Sequence, residues 1–291
     1  MFRKLVQIGA LALGLLVPAI AVQAAEPTRF TVEVRGTGPD VILIPGLASS
    51  RDVWEGTVTA LEGRYRFHVV QVNGFAGAPA GANATGPVVE GLVEDLATYI
   101  ADRKLDHPAV IGHSMGGFSG LALAVRHPDS VGRVMVVDAL PFFSVLINPS
   151  ATAASIEPQA AAIRQSYQSM TEAQLEQVQA GAMRRLVKDP KGQADGLAWS
   201  LASDKAVVGQ ATYDIMTTDL RDKLSGITTP VTVLYARDDS MGFLSGVVDD
   251  LYANNYKALP GVRLVRVDGA LHFIMLDQPG AFLAAVETFL K

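Results

Sequence analysis

The 291-residue chain contains no cysteine. That absence excludes a disulfide framework, a cysteine nucleophile and any thiolate metal site. Charge is sparse as well: 18% of residues are charged, with 24 basic side chains against 29 acidic ones. There is no basic run of five or more, which argues against nucleic acid as a partner. Neither H-E-x-x-H nor a comparable histidine–carboxylate spacing occurs, so the sequence calls for no metal. It shows no phosphate-binding glycine loop and implies no cofactor. Beyond the first 25 residues, no apolar run is long enough to span a bilayer.

Those first residues differ from the rest. Arg3 and Lys4 are followed by an apolar stretch from Leu5 to Ile20, broken by Pro18, and then by "AVQAAEP". Val22 and Ala24 sit where a signal peptidase reads small side chains. Residues 1–24 therefore read as a secretory signal peptide, and the chain as a bacterial exported protein, periplasmic or secreted. The competing reading, a retained N-terminal anchor, is opposed by the short, proline-broken stretch. After cleavage no stable membrane insertion is expected. The N-A-T sequon at 83–85 is taken as chance.

Nearly half of the residues are hydrophobic, enough for a large core without disulfides. Short β-rich runs at 29–36, 40–46, 66–74, 108–114, 132–139, 230–239 and 262–269 alternate with helical patterns. Such alternation predicts a mostly parallel, doubly wound α/β sheet with helices on both faces. Helices are expected at 51–62, with Ser49 or Ser50 as N-cap, at 88–103, at 115–127, within 243–257 and from about 278 to 290. Between 141 and 216 no strand pattern is present, and Thr171–Gln174 fits a capping box before a helix ending near Val187. We read 141–216 as a helical insertion with a loop at 189–196. Residues 25–140 and 217–291 form the core.

The most informative stretch is "VIGHSMGGF" at 110–118. A serine that must project as a nucleophile needs a sharp turn between strand and helix. Glycine two residues before and two after it relieves the crowding. Gly112 and Gly116 hold those positions around Ser114. A serine hydroxyl needs a base. Of the five histidines, His68 lies within a strand, His107 and His127 precede prolines, and His113 is expected to pack beneath the turn. His272 follows the last strand, in a loop at the same sheet edge as Ser114, and is the candidate base. The base needs a carboxylate to orient it. Asp238 and Asp239 end one strand, and one of them should face the site; Asp138, ending another strand, is an outside candidate, read rather as capping or bracing the following turn. The backbone N–H groups of Leu47, after "LIPG", and of Met115, at a helix N-terminus, are the candidate oxyanion donors.

These residues resemble the α/β-hydrolase superfamily over nearly the whole mature chain. The resemblance rests on G-H-S-M-G-G at 112–117, on the order Ser114, Asp239, His272 and on Pro45-Gly46-Leu47. It implies a G-x-x-D-like placement of the acid, in which Ala236 holds the small position, and so favours Asp239. It also implies that 141–216 is a cap or lid over the site. Two departures stand out. Pro45-Gly46 replaces a common His-Gly, and "VNGFAGAPA" at 72–80 replaces a D-x-R-G-x-G-x-S turn. The serine at the elbow disfavours relatives with an aspartate nucleophile.

The expected activity is hydrolysis of a carboxylic ester through an acyl-enzyme. The expected substrate is a small to medium apolar molecule walled by Phe142, Phe143 and Met216, with Trp199 also in the insertion. Amide, lactone, thioester or C–C bond hydrolysis, or a non-catalytic ligand-binding role, are the alternatives.

Overall fold

The computed structural model describes residues 26–291. The signal peptide expected at 1–24 lies outside these residues. Seven strands form a single sheet: β1 (Phe30–Gly36), β2 (Asp40–Ile44), β3 (Arg66–Val72), β4 (Ala109–His113), β5 (Arg133–Val137), β6 (Val231–Arg237) and β7 (Arg263–Asp268). Their spatial order is β1-β3-β2-β4-β5-β6-β7. Only β1 runs antiparallel, against β3; all the other pairs are parallel. This matches the predicted fold class. The central strands are continuously apolar because helices cover both their faces. Val110, Ile111, Val134, Met135, Val136 and Val137 are all fully buried.

Two hydrophobic cores lie on the two faces. One packs α2 (Val88–Asp102) and α3 (Met115–Arg126) through Leu92, Val93, Phe118 and Leu121. The other packs α1 (Glu55–Leu61) and, at the C-terminus, α10 (Pro279–Leu290) through Val58, Leu61, Phe282 and Val286. A 3-10 turn at Arg51–Trp54 precedes α1, capped by Ser50, whose side chain accepts from the Asp52 N–H. Among the described residues no helix is long and apolar enough to cross a membrane.

Between β5 and β6 the chain forms four α-helices: α4 (Ala153–Ser169), α5 (Glu172–Leu186), α6 (Pro190–Ala202) and α7 (Lys205–Thr217). The capping box at Thr171 and Gln174 is formed. The loop expected at 189–196 is instead the start of α6. Asp189 caps it by accepting from the Gly192 N–H, and Pro190 occupies the first turn, where a missing N–H costs nothing. Gly192 and Gly196 suggest a loop in the sequence but serve close helix packing. A Cβ at Gly192 would lie 2.8 Å from Val187 Cγ1, and one at Gly196 2.5 Å from Met183 Sδ. The glycines thus let α6 lie tightly against α5.

After β6 come α8 (Phe243–Tyr256), β7, and the short α9 (Ile274–Asp277) that precedes α10. Asn83 of the sequon is buried, and its amide donates to the Arg29 and Asn73 carbonyls.

Candidate active site

Strand β4 ends at His113, and the next residue is the only one between strand and helix. Ser114 has φ 53° and ψ −121°, a conformation in which a side chain is strained. Neighbouring hydrogen bonds hold it there: its N–H donates to the Val137 carbonyl, and its carbonyl accepts from the Phe118 N–H. The glycines at this turn are required by backbone contacts. A Cβ on Gly112 would collide with the Gly116 carbonyl, and one on Gly116 with the carbonyl oxygens of Ile44 and Pro45. Ser114 therefore projects at the sheet's carboxyl edge, into a cavity of about 730 Å³.

His272 lines the same cavity. Its Nδ1 lies 2.7 Å from Asp138 Oδ2. The expected partner, Asp239, is not at the site. Its side chain is 88% exposed and ion-paired with Arg237. Asp238 is also turned away: it caps Ser240 and accepts from the Lys188 ammonium at 2.6 Å. Those contacts hold its carboxyl down at about 2. The correction has a physical cause. β5 and β6 are parallel neighbours ending at the same edge, so a carboxylate after either strand comes near the histidine loop. The side chain facing that loop belongs to β5.

Asp138 is held on every side. Its φ is 50°. Its Oδ1 accepts from the Ala236 N–H and the Tyr252 hydroxyl, each at 3.0 Å, and its N–H donates to the Leu234 carbonyl. Tyr252 stacks on Tyr235 with ring centroids 4.4 Å apart. Burial pushes its phenol well above the usual range, so it remains a donor. Sequence reasoning did not identify Tyr252. It lies on α8 with no motif around it, and only the packing of α8 against β6 brings it to the acid.

His113 packs beneath the turn, fully buried, as expected. Its Nε2 donates to the His272 carbonyl at 3.1 Å. Its Nδ1 is buried without a partner. Burial lowers its pKa well below the usual histidine value, and the neighbouring His272 adds to the effect. His113 is therefore a neutral prop under the His272 loop. Gly46 fits against it, since a Cβ there would lie 2.9 Å from His113 Nδ1 and 3.2 Å from Ser114 Cβ. His68, also buried, bonds Asp40 and Tyr99 far from the site.

Leu47 and Met115 line the cavity beside Ser114. Met115 is the first residue of α3, where N–H groups lack helical acceptors and carry partial positive charge. Phe143 lines the cavity as expected. Phe142 and Met216 do not. Phe142 is fully buried in the core, with the Arg221 guanidinium 4.8 Å over its ring. Met216 is buried in the same core, and its carbonyl accepts from Ser144. In a run of adjacent apolar residues, side-chain direction decides which one meets the cavity. Trp199 packs against the opposite core. No group of three or more metal-ligating side chains occurs among the described residues.

The chain is 27% identical over 266 residues to a pimeloyl-[acyl-carrier protein] methyl ester esterase of Aeromonas hydrophila, covering 89% of this chain and 98% of that protein. It is 25% identical to a 2-(acetamidomethylene)succinate hydrolase of Mesorhizobium japonicum, covering 90% and 92%. A thermophilic esterase from Thermogutta terrifontis has the same fold, with a TM-score of 0.76 at 18% identity, covering 91% and 97%. The family model for the alpha/beta hydrolase fold matches residues 39–279. The chain is a member of the alpha/beta hydrolase fold family.

Proposed function

We propose that this protein is a serine hydrolase that cleaves carboxylic esters. The observation that carries the reading is the convergence of Ser114, in its strained turn, and the His272–Asp138 pair on one cavity. The names of the two enzymes above, a methyl ester esterase and a hydrolase, support it.

Asp138 accepts a hydrogen bond from His272 Nδ1–H, which fixes the tautomer and leaves Nε2 to act as base. Nε2 takes the hydroxyl proton of Ser114 as its oxygen attacks the ester carbonyl. The N–H groups of Leu47 and Met115 receive the developing oxyanion; one such donor is worth roughly 100- to 1,000-fold in rate. His272 then protonates the leaving alcohol. A water repeats the sequence on the acyl-enzyme and frees the acid. No cofactor is required by these steps. The cavity wall is mainly apolar, with Leu47, Phe118, Phe143 and Leu271 among its residues, which suits a small to medium apolar acyl group. Helices α4 to α7 act as a lid over it in this reading, and the N-terminal segment directs export.

Hydrolysis of p-nitrophenyl esters from acetate to palmitate tests the proposal. Turnover that is lost in Ser114→Ala supports it. Equal rates in wild type and Ser114→Ala at every chain length would refute it.

A further inference from the structure

The wall contributed by the helical insertion is not uniformly apolar. Tyr167 on α4, Gln179 on α5 and Ser200 on α6 all line the cavity. Gln179 is only 9% exposed and Ser200 only 6%. Their polar atoms open onto the cavity: among the described residues, the buried side-chain polar atoms without a partner are Trp54 Nε1 and His113 Nδ1 alone. The Gln179 side chain is held only loosely by the protein, its Nε2 donating to the Tyr167 hydroxyl at the long distance of 3.5 Å. Its carbonyl oxygen and the Ser200 hydroxyl thus keep hydrogen-bonding capacity for a molecule in the cavity. Thr212, on the same wall, differs: its hydroxyl is already bonded to the Val208 carbonyl.

The register of the insertion brings these groups together. Gly192 packs on Val187, and one turn further along each helix Gly196 packs on Met183. The antiparallel pair continues in steps of four residues, so the next turn sets Ser200 opposite Gln179. Tyr167 comes in from α4, whose backbone lies close to α7. A Cβ at Gly209 on α7 would lie 3.1 Å from Tyr167 Cβ, and this close approach fixes the base of the tyrosine side chain. Three hydrogen-bonding groups from three helices thus share one apolar cavity with the catalytic serine.

We propose that Tyr167, Gln179 and Ser200 form a polar subsite that binds a neutral hydroxyl or amide on the substrate, remote from the ester. Each of the three both donates and accepts, and none is charged, so the complementary group is one that also donates and accepts without charge. The two arginines bordering the cavity, Arg184 and Arg185, lie further along α5 and are exposed. The proposal rests on the ester-hydrolase reading and specifies its substrate class.

The test compares methyl alkanoates with their ω-hydroxy and ω-carboxy counterparts, from butanoate to decanoate, in wild type, Gln179→Leu and the Tyr167→Phe/Ser200→Ala double variant. At the chain length that reaches the subsite, the kcat/KM ratio of ω-hydroxy to unsubstituted ester should fall roughly tenfold in Gln179→Leu, the usual size of one buried neutral hydrogen bond. It should also fall in the double variant, which serves alone if Gln179→Leu does not fold. An unchanged ratio overturns the proposal, and so does a variant-sensitive preference for the ω-carboxylate. If wild type hydrolyses no ester, the ester reading fails separately. Calorimetric binding of the same pairs to Ser114→Ala, with and without Gln179→Leu, then decides the subsite. A loss of the hydroxyl preference supports it, and equal preference overturns it.

Discussion

His272 Nδ1 and Asp138 Oδ2 are 2.7 Å apart, joining the ends of two segments 134 residues apart in sequence. The carboxylate is placed by β5, its neighbour Ala236 by β6 and its tyrosine donor by α8. Three elements therefore fix the carboxylate that bonds His272 and that the proposed mechanism uses to orient the base.

The Tyr252 hydroxyl is expected to act through Asp138. Tyr252→Phe removes one of two donors to Oδ1 while keeping the ring stack on Tyr235. A bond to a charged acceptor contributes more than a neutral one, and kcat should fall roughly tenfold with KM nearly unchanged. Steady-state kinetics checks this. A fall in melting temperature with kcat unchanged would mark Tyr252 as merely structural.

Two glycines should respond in opposite ways. Gly116→Ala drives a methyl into the backbone oxygens of Ile44 and Pro45, which have no room to move. It should abolish activity and lower stability sharply. Gly181, within α5, has only the ends of Arg184 and Arg185 nearby, at 3.8 and 3.9 Å. Gly181→Ala should raise stability by about 0.5–1 kcal/mol through helix propensity. Thermal melts of the two variants give the comparison.

His113 makes stability depend on pH. Its folded pKa is depressed by burial, so below the ordinary histidine value the unfolded chain takes up a proton that the folded chain refuses. Its contribution is present above about pH 6.5 and is lost as pH falls through and below that value, at up to about 1.4 kcal/mol per pH unit. His113→Gln should be less stable at pH 8 yet show a flatter decline between pH 7 and pH 5 in denaturant titrations. An unchanged slope would show that His113 is not the group being protonated.

Much of the fold was legible in the sequence because its signals are local. The apolar runs of β4 and β5 and the periodicity of α2 each depend on residues within a few positions. The same holds for Gly112-x-Ser114-x-Gly116, where crowding at one turn dictates the spacing. The acid was not legible in this way. Asp138, Asp238 and Asp239 all follow strands that end at one edge, and a run of sequence does not show which side chain faces the His272 loop. The contacts that decide it, Lys188 with Asp238 and Arg237 with Asp239, come from tertiary packing. Phe142 and Phe143 illustrate the same limit, adjacent in sequence but one in the core and one at the cavity. The start of α6 was hidden for a different reason. Gly192 and Gly196 are poor helix formers, and only the surfaces of Val187 and Met183 explain why they stand there.

The most direct test of the account exchanges the competing carboxylates for amides. Asp138→Asn keeps the shape but loses the acceptor that fixes the His272 tautomer, and turnover of a p-nitrophenyl ester should fall by roughly 10,000-fold. Asp239→Asn, altering an exposed side chain, should stay within about twofold of wild type. Full activity in Asp138→Asn together with loss in Asp239→Asn would contradict the assignment of the acid and the site built on it.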